Sequence, residues 1–306
     1  MGKYGATCDN LLSLDVVTAD GELLTASSEQ NPDLFWAMRG AGANFGVVTS
    51  FRYQVHPVGE VLAGMLLHPR ARAAELVAFH REFLAGSPDE LDTTIGFLNA
   101  PDGTPLVGNI VVYAGDLNEG ERLLAPLRSF GPPIADMVAR MPYCAVQSML
   151  DNAVPEGHRY YWKSNFVSEL HPELVAVLSE GASRMPSPHS MILLFEVKGA
   201  IQRVPREAMA FDHRDANFEL SIIAQWTDLA HDAANVQWAR SVWTEAQPYV
   251  SSGVYANHLS ADESEDRIIS AYGAEKYQKL TTLKTRYDPE NIFRQNHNIA
   301  PEPLPV

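Results

Sequence analysis

Cysteine is nearly missing from this chain: Cys8 and Cys144 are the only two in 306 residues, too few for a disulfide framework or a structural zinc site. Such usage suits a reducing compartment, so a cytoplasmic setting is expected. No run approaches the roughly 18 apolar residues of a membrane-spanning helix, and the opening Met1-Gly2-Lys3-Tyr4-Gly5 does not read as a secretory leader. Gly2 does not signal myristoylation, because Ala6 stands where that motif needs Ser or Thr. Basic residues are scarce too. With 23 Lys and Arg against 38 Asp and Glu the net charge is −15, which argues against non-specific nucleic-acid binding and against anionic membrane surfaces. The familiar catalytic signatures are absent: no G-x-S-x-G elbow, no phosphate loop ending in Gly-Lys-Ser/Thr, no H-E-x-x-H, and ten histidines without metal-ligand spacing. No metal site is expected. The acidic run 262–266 lacks a calcium-loop pattern and reads as a helix start stabilised by the macrodipole.

What remains is an ordinary globular composition, 46% hydrophobic, long enough for two lobes. Alternation on either side of Asp20-Gly21 predicts a hairpin of 12–18 with 22–26. Asn31-Pro32-Asp33 opens a short helix, and 45–55 reads as a strand stopped by His56-Pro57. From about residue 60, strand-like runs at 60–68, 91–99, 106–114, 159–167, 190–198 and 217–226 alternate with helical runs near 70–85, 118–129, 171–185 and 231–246. Short Pro- or Gly-containing connections suit an antiparallel sheet with helices on one face, an α+β fold. Residues 251–257 read as one more strand, 263–285 as helices, and 300–306 as an extended tail.

Four segments could carry chemistry. Residues 33–49 run from an amphipathic turn of helix through Gly40, Gly42 and Gly46 into an apolar strand. Glycines this dense let backbone N–H groups close on an anion. The order is helix, G-x-G-x-x-x-G, strand, the reverse of the dinucleotide fingerprint, so a nicotinamide dehydrogenase is disfavoured. Cradle and tight turn are both open readings of the glycines alone. Residues 159–166 form an aromatic strand with Tyr160, Trp162, Ser164 and Phe166 on one face and Tyr161, Lys163 and Asn165 on the other. Such a strand could line a flat substrate, or simply pack. Residues 254–258 bring together a phenol, an amide and an imidazole, Tyr255, Asn257 and His258, able to bind a cofactor edge and move a proton. Alternation puts His258 opposite Tyr255 and Asn257. Residues 287–299 combine Asp288-Pro289 turn chemistry with several amides, Asn296 and Asn298 among them.

These segments, in this order, resemble the FAD-linked oxidases of the berberine bridge enzyme type, within the vanillyl-alcohol-oxidase-like superfamily whose cofactor lobe is of the PCMH type. Tyr4-Gly5-Ala6-Thr7-Cys8-Asp9-Asn10-Leu11-Leu12 and Asn31-Pro32-Asp33-Leu34-Phe35-Trp36 carry the resemblance near one end. Tyr255-x-Asn257 and 287–299 carry it near the other. It implies a truncated FAD lobe in 1–58, a substrate domain in 59–250 with an antiparallel sheet under helices, and a berberine-bridge element in 251–306. The implied cofactor is FAD, near Gly40, Gly42, Asn44, Phe45, Gly46, Val47 and Val48 on the adenine–pyrophosphate side, and near Asn257, Asn296 and Asn298 on the ring side. Tyr255 and His258 are the implied catalytic pair, although many relatives place an aromatic residue at the position of His258. Tyr161, Trp162 and Lys163 are the implied substrate residues. The implied reaction takes hydride from a C–H beside an alcohol or amine of a small molecule and passes electrons to oxygen or another acceptor. The earlier half of the family's FAD lobe, with its covalent flavin anchor, has no counterpart in these residues. A non-catalytic fragment or binding module is therefore the competing expectation.

Overall fold

Asp20-Gly21 turns the chain as its turn chemistry demands, Gly21 taking φ +83° at no steric cost. The computed structural model describes residues 1–251, 253–295 and 297–303. In chain order the strands are β1 (Leu11–Val17), β2 (Leu23–Ser27), β3 (Val47–Tyr53), β4 (Glu60–Pro69), β5 (Leu91–Asn99), β6 (Pro105–Tyr113), β7 (Ala135–Asp136), β8 (Ala139–Pro142), β9 (Arg159–Val167), β10 (Met191–Glu196) and β11 (Phe218–Trp226). The helices are α1 (Pro32–Ala41), α2 (Ala73–Leu84), α3 (Leu117–Ser129), α4 (Tyr143–Gln147), α5 (Pro172–Ser183), α6 (Ala200–Arg203), α7 (Asp232–Ala246), α8 (Glu265–Tyr272) and α9 (Ala274–Tyr287).

The chain divides into two compact units. The larger comprises 1–3, 57–199 and 216–251. Its antiparallel sheet runs β7-β4-β6-β5-β10-β11-β9, with β8 also paired to β4. Side chains alternate across each strand. Ile95, Phe97, Ile192, Leu194, Leu220, Ile222 and Ala224 therefore share one face and pack with Leu76 and Val77 of α2, Leu174 and Leu178 of α5, and Trp238 and Val242 of α7. Leu124 and Leu127 of α3 join Leu62, Leu66 and Val111 in a second cluster. The antiparallel sheet beneath helices is the α+β arrangement expected.

The smaller unit comprises 4–56, 200–215 and 252–306. Residues 200–215 leave the span between 59 and 250 to join it, a departure that no local sequence pattern marks. Its sheet has the order β2-β1-β3, with Leu14 paired to Ala26 and Val16 to Leu24. Leu14, Val16, Leu34, Phe35, Ala37, Phe45, Leu280 and Ile299 form its core. Residues 251–257 depart from expectation: among the described residues no strand is present there, and a 3-10 turn spans Ala256–His258. The acidic run does start a helix, with Glu265 and Asp266 in the first turn of α8. Of the tail, 304–306 lies outside the described residues. Among those described, no helix is long and apolar enough to cross a membrane.

Candidate functional site

In the smaller unit the glycine segment closes a kinked helix. Arg39 leaves helical geometry at ψ 64° and Gly40 takes φ 141°, a conformation few L residues adopt. The kink is held from outside by 207–211. Trp36 Nε1 donates to the Glu207 carbonyl at 2.8 Å, Arg39 Nη2 to Ala208 at 2.7 Å, and Phe211 N to the Arg39 carbonyl at 2.9 Å. A Cβ on Gly40 would lie 2.4 Å from Phe211 N, and one on Gly46 would lie 2.5 Å from both Val16 Cγ2 and the Val17 carbonyl. The surrounding protein is enough to require glycine at both positions. Gly42 differs: at φ −53° and ψ −37°, its added Cβ would meet nothing nearer than Met38 Cε at 3.4 Å.

The loop is tied to the C-terminal segment. Asn44 Nδ2 donates to the His297 carbonyl at 3.3 Å, and Asn44 Oδ1 accepts from Ile299 N at 2.9 Å. Lys284, fully buried, donates to the carbonyls of Asn44 at 2.9 Å and Phe293 at 2.8 Å and to Asp288 Oδ2 at 2.5 Å. Burial alone would push the Asp288 carboxyl up. The Lys284 ammonium and the N–H groups of Ile292 and Phe293 outweigh it and hold the carboxyl below its ordinary range. Asn44 is thus a clamp with its amide already engaged, and Phe45 is a core side chain with no exposed surface. Val47 is exposed and Val48 half-buried at the start of β3. Within the same segment, Asn298 Oδ1 is buried without a hydrogen-bond partner among the described residues. Such an orphaned acceptor calls for a hydrogen-bond donor. Asn296 lies outside the described residues.

The Tyr255 cluster is more compact than alternation predicts, because the chain turns instead of extending. Asn257 Nδ2 donates to Tyr255 Oη at 2.8 Å, and the His258 ring meets the Tyr255 ring edge-on at 5.0 Å. The Phe211 ring also meets the Tyr255 ring edge-on, at 6.0 Å. Contrary to expectation, phenol, amide and imidazole share one small site.

In the larger unit the three expected substrate residues do not share a surface. Tyr161 and Lys163 face α7: Arg240 Nε donates to Tyr161 Oη at 3.0 Å, and Lys163 Nζ lies over the rings of Tyr161 and Trp243 at 5.7 and 5.2 Å. Trp162 lies on the face away from the helices, with Tyr160, Ser164 and Phe166. In register beside them stand Gln225, Ile223, Ser221 and Glu219 of β11. Ser221 Oγ donates to the Glu219 carboxylate, 3.0 and 3.1 Å from its two oxygens. Alternation along 218–226 carries this polar row in the sequence, and only its pairing with β9 puts it beside the aromatic strand. A separate pocket of about 380 Å³ lies at the start of β9, walled by His158, Tyr160, Tyr161, Trp226 and the paired Arg159 and Asp232. Among the described residues no cluster of His, Cys, Asp and Glu could hold a metal.

Residues 254–300 match the family model described as berberine and berberine like. An FAD-linked oxidoreductase of Dictyostelium discoideum is 31% identical over 304 residues, covering 98% of this chain and 65% of that protein. Over 98% of its length the chain is similar to an FAD-linked oxidoreductase, and its residues 254–300 are similar to the berberine and berberine like family. The (R)-6-hydroxynicotine oxidase of Paenarthrobacter nicotinovorans is 28% identical over 311 residues, with 98% of this chain and 67% of that one covered. The crystal structure of 6-hydroxy-D-nicotine oxidase from Arthrobacter nicotinovorans superposes with a TM-score of 0.85 at 26% identity, covering 98% of this chain and 68% of that one. A BBE-like protein from Arabidopsis thaliana gives the same TM-score at 20% identity, 99% of this chain and 69% of that one being covered, and supports the fold alone. The chain spans about 65% of the length of the Dictyostelium relative.

Proposed function

We propose that this chain forms the substrate-holding part and one side of the cofactor site of an FAD-dependent oxidoreductase that oxidises a C–H bond beside an alcohol or amine of a small molecule. The observation that carries the reading is the match over 98% of the chain to a relative named an FAD-linked oxidoreductase. The residues present fit a flavin. A Cβ on Gly42 would meet only the end of the Met38 side chain, at ordinary van der Waals distance, and the orphaned Asn298 Oδ1 offers a buried acceptor to a flavin N–H. A bound flavin supplies a two-electron acceptor for hydride, with oxygen or another acceptor taking the electrons onward. The chain's own residues would manage the proton. Tyr255, its phenol already accepting from Asn257, and His258 against its ring make a pair able to take a proton from a substrate heteroatom. The test is a titration of the purified chain with FAD, followed by quenching of flavin fluorescence. Saturable binding that Asn298→Leu weakens at unchanged fold is the expected result; no binding by the unaltered chain overturns the reading.

One observation favours the second reading, a non-catalytic binding module. Phe51 and Tyr53 of the third strand of the smaller sheet, and Val55 just beyond it, are 56, 38 and 78% exposed, apolar surface that a complete cofactor lobe would be expected to cover. That reading predicts an intact fold with no flavin bound.

A further inference from the structure

The helix-covered core of the larger unit contains a polar seam that the proposed chemistry does not use. His68 on β4 is fully buried, and neither ring nitrogen has a hydrogen-bond partner among the described residues. Asn109 on β6 is 1% exposed, and neither its amide nitrogen nor its oxygen has one. On α2, the fully buried His80 leaves Nδ1 unpartnered, while its Nε2 lies 3.0 Å from Thr93 Oγ1. Thr93 donates to Glu196 Oε2 at 3.0 Å, and Lys198 Nζ completes the chain at 3.0 Å from Glu196 Oε1, its own side chain partly open to solvent.

The register puts these groups on one line. Asn109 pairs with Leu66 of β4 and Ile95 of β5, His68 pairs with Val107, and Thr93 pairs with Val111. Residues two apart on a strand share a face, so Asn109 lies diagonal to both His68 and Thr93 on the face beneath α2. Diagonal neighbours sit roughly 7–8 Å apart at the backbone, near enough for polar side chains to share a bridging small molecule. An amide needs both a donor and an acceptor, and so does a neutral imidazole. A cation or an anion would satisfy only one half of each; water satisfies both.

We propose that this seam is a water-binding site, in which ordered water bridges His68, Asn109 and His80 and continues the Thr93–Glu196–Lys198 chain into the core. Buried polar groups are almost always partnered, and internal water is the usual partner when protein is not. The test is a high-resolution crystal structure of the full chain, together with water–protein cross-relaxation in solution. Density about 2.7–3.2 Å from the Asn109 amide and from a His68 nitrogen is the expected result, with long-lived water cross-peaks to the same groups. Asn109→Leu should remove both signals and lower the midpoint of urea unfolding. Empty density, or direct bonds from Asn109 and His68 to other protein groups, would overturn the proposal. So would a raised midpoint in Asn109→Leu, since deleting two unsatisfied groups from a dry core stabilises it. The unaltered chain decides the matter even if the variant does not fold.

Discussion

At the scale of single residues, the ion pair of Lys284 and Asp288 decides most. Both side chains are fully buried, and Lys284 spends three donors on Asn44, Phe293 and Asp288. Removing one partner leaves a buried charge uncompensated, so Lys284→Met should destabilise by about 3–5 kcal/mol, while Lys284→Met with Asp288→Leu should recover part of the loss. Denaturant unfolding of the two variants reads both. The depressed Asp288 carboxyl adds a pH signature. Its contribution is present above the unfolded value near 3.9 and is lost as pH falls through the lower folded value.

His80 acts on a different window. Burial, with Lys198 adding to it, pushes its imidazole down to about 3. The unfolded chain takes up that proton from about pH 6.5 downward, and the folded chain does not. Stability from His80 is therefore complete above pH 6.5 and lost toward pH 3, at about 1.4 kcal/mol per pH unit. Glu196, raised by burial against the pull of Lys198 and Thr93, works with the opposite sign, so the difference between the unaltered chain and His80→Gln isolates the histidine. A difference curve flat from pH 7 to 4 would refute this assignment.

At the scale of elements, the glycine loop separates into two kinds of glycine. Gly40→Ala forces a Cβ against Phe211 N in a left-handed backbone and should cost on the order of 1–3 kcal/mol. Gly42→Ala sits in right-handed helical geometry with room beside it, so it should be neutral or stabilise by up to about 1 kcal/mol. Thermal unfolding of the pair tests the division, and equal losses would show that the loop is uniformly strained. The sequence displayed glycine density but not which glycines face backbone, because the contact on Gly40 comes from Phe211, 171 positions along the chain. The same distance in sequence hid 207–211 as the brace of α1. Strands were legible where alternation met a buried face: 159–167 matches β9, since Val167 and Phe166 each find a packed side. Alternation failed at 254–258, where no ladder partner holds the chain extended and it turns at Ala256–His258 instead. That failure hid the contact between Tyr255 and His258, and the chemistry assigned to the pair depends on it.

At the scale of the whole molecule, two features oppose each other: a net charge of −15 and an uncovered edge strand. In the sheet of the smaller unit, β3 pairs among the described residues with β1 on one side only. Its outward row carries Phe51 stacked on Tyr53 at 5.8 Å, with Val55 following. A free strand edge beside exposed aromatics is a template for association. Like-charge repulsion between copies holds it back, and that repulsion is screened over about 10 Å at 0.1 M salt. Association should therefore rise with ionic strength, the opposite of an interface made by ion pairs. Sedimentation velocity across a salt series measures it, and Phe51→Lys should return the profile to that of the low-salt chain. A chain that stays monodisperse at every salt concentration would show that the strand edge is already blunted. A salt-dependent association that Phe51→Lys leaves untouched would place the sticky surface elsewhere, with the exposed Leu23 and Val47 beside Val17 as the next surface to alter.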